Sequence, residues 1–155
     1  MGPVFTPWGV YLLDALKLEP SERLLDVATV ARLASARVGP EGYVLATDLS
    51  PAMLAIAETK PAVEDGSSIE YRLSPAMPLQ AEGDSFDVAC CQQGLQFFPD
   101  RRGALIEMHR TLRPGGRLGL AIWSDIEVCP PFAAVRDAIA EVLGRDAADR
   151  YAKGP

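Results

Sequence analysis

Two carboxylates carry most of the chemical promise in this sequence. Asp26 interrupts the apolar run RLLDVA (23–28), and Asp48 closes the run YVLAT (43–47), 22 residues after Asp26. An acid closing a second strand at that spacing suits acceptance of both hydroxyls of a ribose. The competing reading is structural. Ser50 and Pro51 follow, a side-chain cap and a proline at the first helical position, and Asp48 would favour the start of that helix. Position alone leaves both open. Other chemistry finds little material. His109 is the single histidine, which argues against Ser-His-Asp relays and multi-histidine metal sites, and no metal is expected. Cys90 and Cys91 are adjacent, Cys129 stands alone, and no CxxC spacing occurs. Neither a zinc site nor a disulfide framework follows; reduced thiols in a cytoplasmic protein are the simple expectation.

The elements that must position these residues alternate. Trp8–Leu18 reads as a helix with Leu12, Leu13, Leu16 and Leu18 on one side, and Val30–Val38 as a second helix. Arg23–Ala28, Tyr43–Thr47, Ile69–Arg72, Phe86–Cys91 and Leu118–Trp123 read as five short strands. A helix begins at Ser50-Pro51. Another spans Arg101–Leu112 and stops at Arg113-Pro114-Gly115-Gly116, because proline cannot continue it and glycine accepts the left-handed turn. Pro130-Pro131 leads a last helix bearing Phe132, Val135, Ile139 and Val142. This rhythm predicts an α/β fold: a Rossmann-like, doubly wound, mostly parallel sheet of about five strands with helices on both faces. Ligands of such sheets bind beyond the carboxyl ends of the strands. That rule draws attention to Ala28-Thr29, Asp48-Leu49, Ser74-Pro75-Ala76 and Gln92-Gln93.

Composition narrows the class. The chain has 155 residues, 48% of them hydrophobic and 23% charged, with a net charge of −6. This is the make-up of one globular domain. The acidic balance, with no basic cluster, makes nucleic acid a poor partner. No apolar run approaches the ~20 residues of a membrane span, so no membrane partner is expected.

The runs LLDVAT (24–29), VGPEGYVLATDLSPAMLAIA (38–57), SFDVACCQQGLQFFPDRRGAL (85–105) and LRPGGRLGLAIW (112–123) resemble class I S-adenosylmethionine-dependent methyltransferases, especially the ubiquinone/menaquinone-biosynthesis type. The resemblance spans roughly residues 8–143. It implies S-adenosylmethionine as cofactor and a small-molecule acceptor. It places Asp26 near the methionine end of the cofactor, and Ala28 and Thr29 in the loop passing beneath it. Asp48 takes the ribose, and Leu49 and Met53 touch adenine. Pro75 and Ala76 stand where many relatives carry an acid for the adenine amino group, and Gln92 and Gln93 stand at the mouth of the methyl-transfer site. No catalytic residue is implied, since methyl transfer from a sulfonium depends chiefly on alignment.

Three departures shape the expectation. The family pattern D-x-G/A-x-G-x-G is cut short: Val30-Ala31-Arg32 follows Thr29, as if Gly-x-Gly and a neighbour were deleted. The acid after the third strand is missing. The sequence also stops before the final strands of the family sheet. One methyltransferase-like domain is therefore expected over 1–155, with an N-terminal helix region (1–20), a cofactor-binding core (21–123) and the start of a substrate-covering segment (124–155). The sheet edge left bare invites pairing with a second copy. The alternative reading is a degenerate domain or fragment that keeps the fold, no longer binds cofactor, and acts through association.

Overall fold

A computed structural model describes residues 5–28 and 30–153. The chain divides into two compact units between residues 121 and 122. The first unit runs α1 (Thr6–Leu16), β1 (Arg23–Val27), α2 (Ala31–Val38), β2 (Tyr43–Asp48), α3 (Pro51–Glu58), β3 (Ser68–Leu73), β4 (Phe86–Gln92), α4 (Arg101–Thr111) and β5 (Leu112–Ala121). The second holds α5 (Pro130–Leu143) and α6 (Arg145–Ala152), the latter not anticipated from sequence.

The five strands form one sheet in the order β3-β2-β1-β4-β5, and every neighbouring pair is parallel. Strand residues alternate between two cores, as pleating requires. Leu24, Val44, Val88 and Cys90 pack beneath α1 and α2, with Leu13, Ala34 and Val38. Leu25, Val27, Leu45, Ala89 and Cys91 face the other way, against Ala104 and Met108 of α4. Phe86 breaks the parity of β4 and joins the second core, because the ladder with β5 shifts register between Phe86 and Val88.

α1 is bound to the sheet at both ends. Gly119 of β5 leaves room for Leu12 and Leu16, and Arg117 donates to the Leu16 carbonyl at 2.9 Å and to Glu22 at 2.7 Å. At the other end, Gln92 Nε2 donates to the Phe5 carbonyl at 2.8 Å. β5 differs from its expected span. It begins at Leu112, directly after α4, and carries the Pro-Gly-Gly segment within it, with Gly115 at φ +83°. Among the described residues no helix is long and apolar enough to cross a membrane. In the second unit, Trp123 meets Phe132 edge-to-face at 4.6 Å, and Arg136 pairs with Glu127 and Asp137.

Candidate functional site

The carboxyl ends of β1, β2, β3 and β4 open onto a cavity of about 430 Å³. Val27 and Ala28 form its β1 wall, and Thr47, Asp48 and Leu49 its β2 wall. The segment Ser74–Met77 supplies the β3 side. Gln93 and Gly94, then Phe97 to Asp100, close it from β4 towards α4. All of these residues lie in the first unit.

Asp48 is half-buried at the centre of the β2 wall. Its Oδ1 accepts the Ser50 N–H at 2.8 Å, and Ser50 Oγ in turn accepts the Met53 N–H at 3.4 Å, so the acid and the cap start α3 together. Among the described residues no hydrogen bond reaches Asp48 Oδ2. The structural and functional readings of Asp48 thus coexist on its two oxygens.

Of the residues singled out in the sequence, Ala28, Asp48, Leu49, Pro75, Ala76 and Gln93 line the cavity. Thr29 lies outside the described residues. Asp26, Gln92 and Met53 do not line it. Asp26 shares the parity of Leu24, which turns its side chain to the α2 face; it is 1% exposed, and its Oδ2 accepts the Ala31 N–H at 2.6 Å. Gln92 shares the parity of Cys90 and points towards α1, whereas Gln93, one residue on, faces the cavity. Met53 sits on the open face of α3, 53% exposed.

In the stretch after β4, Phe97 and Phe98 read from sequence as core packing ahead of pocket wall, and Gly94 carries no marked role. Gly94 forms a cradle there: a Cβ would lie 2.9 Å from Cys91 Sγ and 3.2 Å from the Ala28 Cβ. Phe97 is 64% exposed at the rim and Phe98 packs partly into the second core, so the first is wall rather than packing. The signal that marks them is their place directly beyond a buried strand end. Two groups are excluded from the chemistry. Burial pushes the Cys91 thiol up to about 12 and Cys90 well above its usual value, so neither offers a thiolate. His109 is exposed on α4, away from the cavity.

An apolar cavity at the strand ends, with an acid closing the second strand, lies where open α/β sheets of the doubly wound class bind their ligands. Residues 25–120 match the family model described as a methyltransferase domain, and the chain belongs to that family. An uncharacterised protein of Mycobacterium tuberculosis is 33% identical over 124 residues, covering 78% of this chain and 44% of that protein. The demethylmenaquinone methyltransferase of Lactococcus lactis is 43% identical over 84 residues, covering 54% and 33%. A SAM-dependent methyltransferase from Aquifex aeolicus shares the fold with a TM-score of 0.68 at 19% identity, over 80% of this chain and 69% of that one. The chain spans less than half the length of these two curated relatives.

Proposed function

We propose that the cavity binds S-adenosylmethionine and that the chain serves methyl transfer to a small-molecule acceptor. The observation that carries this reading is Asp48: one carboxylate oxygen is fixed by the backbone, and the other is left to accept from a ribose hydroxyl. The residues present suit the group. The cavity is roomy and mostly apolar, and the absence of a side chain at Gly94 lets its backbone pack closely on Cys91 and Ala28 at the cavity wall. The shortened first loop does not close it.

When bound, the cofactor supplies a methyl group already activated by sulfonium charge. The protein's share is alignment and exclusion of water. Leu49 and Ala76 supply apolar surface from β2 and β3. Phe97 and Phe98 offer aromatic surface at the β4 side, which favours an apolar or aromatic acceptor. Leu118 and Leu120 remain exposed on the edge strand β5, which supports self-association there; sedimentation at high concentration tests it.

The deciding experiment is calorimetric titration with S-adenosylhomocysteine beside an Asp48→Ala variant. Micromolar binding that Asp48→Ala weakens at least tenfold supports the reading. No binding by a chain shown to be folded overturns it in favour of a degenerate domain acting through association.

A further inference from the structure

The polar side chains of the cavity are nearly all spent on the protein itself. Thr47 Oγ1 donates to the Asp26 carbonyl at 3.3 Å. Ser74 Oγ donates to the Pro75 carbonyl and accepts the Gln80 N–H. Asp100 Oδ1 caps α4 through the Gly103 N–H at 2.7 Å. Among the side chains of the lining, what remains are carboxylate oxygens, which only accept, and one amide. Among the described residues no Lys, Arg, His, Tyr or Trp lines the cavity.

That amide is oriented. Gln96 Nε2 donates to the Gln93 main-chain carbonyl at 3.0 Å and to Gln93 Oε1 at 3.2 Å. The main-chain oxygen can only accept, so the Gln96 amide has one usable orientation, and it assigns the acceptor end of Gln93 to Gln96. Gln93 Nε2 is left as the unspent side-chain N–H of the lining, with no acceptor among the described residues. The arrangement has local costs. Gln93 sits at φ +57°, and Gln96 Oε1 is buried without a hydrogen-bond partner. Costs concentrated beside a cavity mark a corner held for a ligand.

We propose that Gln93 Nε2 holds the amino-acid carboxylate of the bound cofactor, with Gln96 as its positioning residue. The assignment rests on the cofactor reading above. Its geometry comes from the sheet: β2 and β4 flank β1, so Asp48 and Gln93 belong to strands two spacings, about 9 to 10 Å, apart. A homocysteinyl chain leaving a ribose held at Asp48 covers such a span when extended. The two ends of the ligand then meet complementary groups, hydroxyl donors on a carboxylate and a carboxylate on an amide N–H. The shortened loop after β1 makes this donor more necessary, because the Ala31 N–H at the start of α2 is already taken by Asp26.

The test compares S-adenosylhomocysteine with 5′-deoxy-5′-methylthioadenosine, which keeps the nucleoside and the sulfur but lacks the amino-acid end. Gln93→Glu exchanges donor for carboxylate at nearly constant size. It is expected to weaken S-adenosylhomocysteine about ten- to hundredfold, the range of a hydrogen bond to a charged group, and to leave methylthioadenosine within about twofold. Gln96→Leu, which frees the Gln93 amide to turn, is expected to give a smaller loss confined to S-adenosylhomocysteine. Thermal melts of both variants confirm folding. Equal weakening of both ligands, or of neither, overturns the assignment of Gln93 while leaving the cofactor reading standing. Failure of the folded wild-type chain to bind either ligand overturns the cofactor reading and this assignment with it.

Discussion

Asp26 Oδ2 accepts the Ala31 N–H at 2.6 Å, so the acid of β1 caps the helix that follows it across a three-residue connection. The nominal N-cap of α2, Val30, has no side chain able to do this. Asp26 also accepts from Cys90 Sγ at 3.9 Å, and it is almost wholly buried. Asp26→Ala leaves the Ala31 N–H without its partner and is expected to lower the unfolding free energy by about 2 kcal/mol, read from urea denaturation. A change under about 0.5 kcal/mol would show that the cap is dispensable.

Ala28 stands at φ +144°, a region that glycine enters freely and alanine does not. Replacing alanine by glycine normally destabilises a protein. Here the relief of strain, about 1–3 kcal/mol for such a residue, outweighs the entropy of a more flexible unfolded chain. Ala28→Gly is therefore expected to raise the melting temperature by a few degrees.

Gly119 is constrained by packing rather than by backbone angle. A Cβ there would stand 2.7 Å from Leu16 Cδ1 and 2.9 Å from Leu12 Cδ1, beneath α1. Gly119→Ala forces both leucines to shift and is expected to cost about 1–3 kcal/mol. Gly119→Ala combined with Leu16→Ala should recover part of that loss in a double-mutant cycle; strict additivity would refute the contact.

Cys90 and Cys91 are buried and Cys129 is partly open. Ellman's reagent at pH 8 is expected to modify Cys129 in the native chain and all three thiols after denaturation. The same burial sets an alkaline limit. The Cys91 thiol is raised from 9.0 to about 12, so its contribution to stability is complete below pH 9 and is lost as pH climbs towards 12. Tyr43, raised from 10.0 to about 12 first by burial and then by its bond to Glu70, adds the same sign from pH 10 upward. Denaturation midpoints should fall over pH 9–12, and Cys91→Ala should flatten the lower part of that fall.

Much of the architecture was legible because local pattern and tertiary role coincide. Leu24-Leu25, Val44-Leu45 and Val88-Ala89 belong to runs apolar on both faces, as central strands demand, and Ser50-Pro51 marks a helix start within the residue. β5 was less legible. Pro114-Gly115-Gly116 reads as a turn, yet the ladder to β4 keeps Leu112 extended opposite Phe86. The short helix α6 was missed.

What the sequence determined by itself is the succession of strands and helices, and with it the placement of Asp48 at a strand end beside a helix start. Both depend on interactions within a few residues. The division of labour between neighbours was decided only by the tertiary structure. Gln92 and Gln93 are chemically identical and adjacent, but the pleat of β4 turns Gln92 to α1, whereas Gln93, one residue past the strand end at φ +57°, lines the cavity. The same alternation turns Asp26 inward to cap α2. The stretch Gly94–Asp100 becomes a wall only because β4 ends beside β1, on the far side of it from β2 and β3, whose ends open onto the same cavity. Those outcomes depend on strand order and on which face each residue meets, and neither quantity is encoded in any short window of the chain.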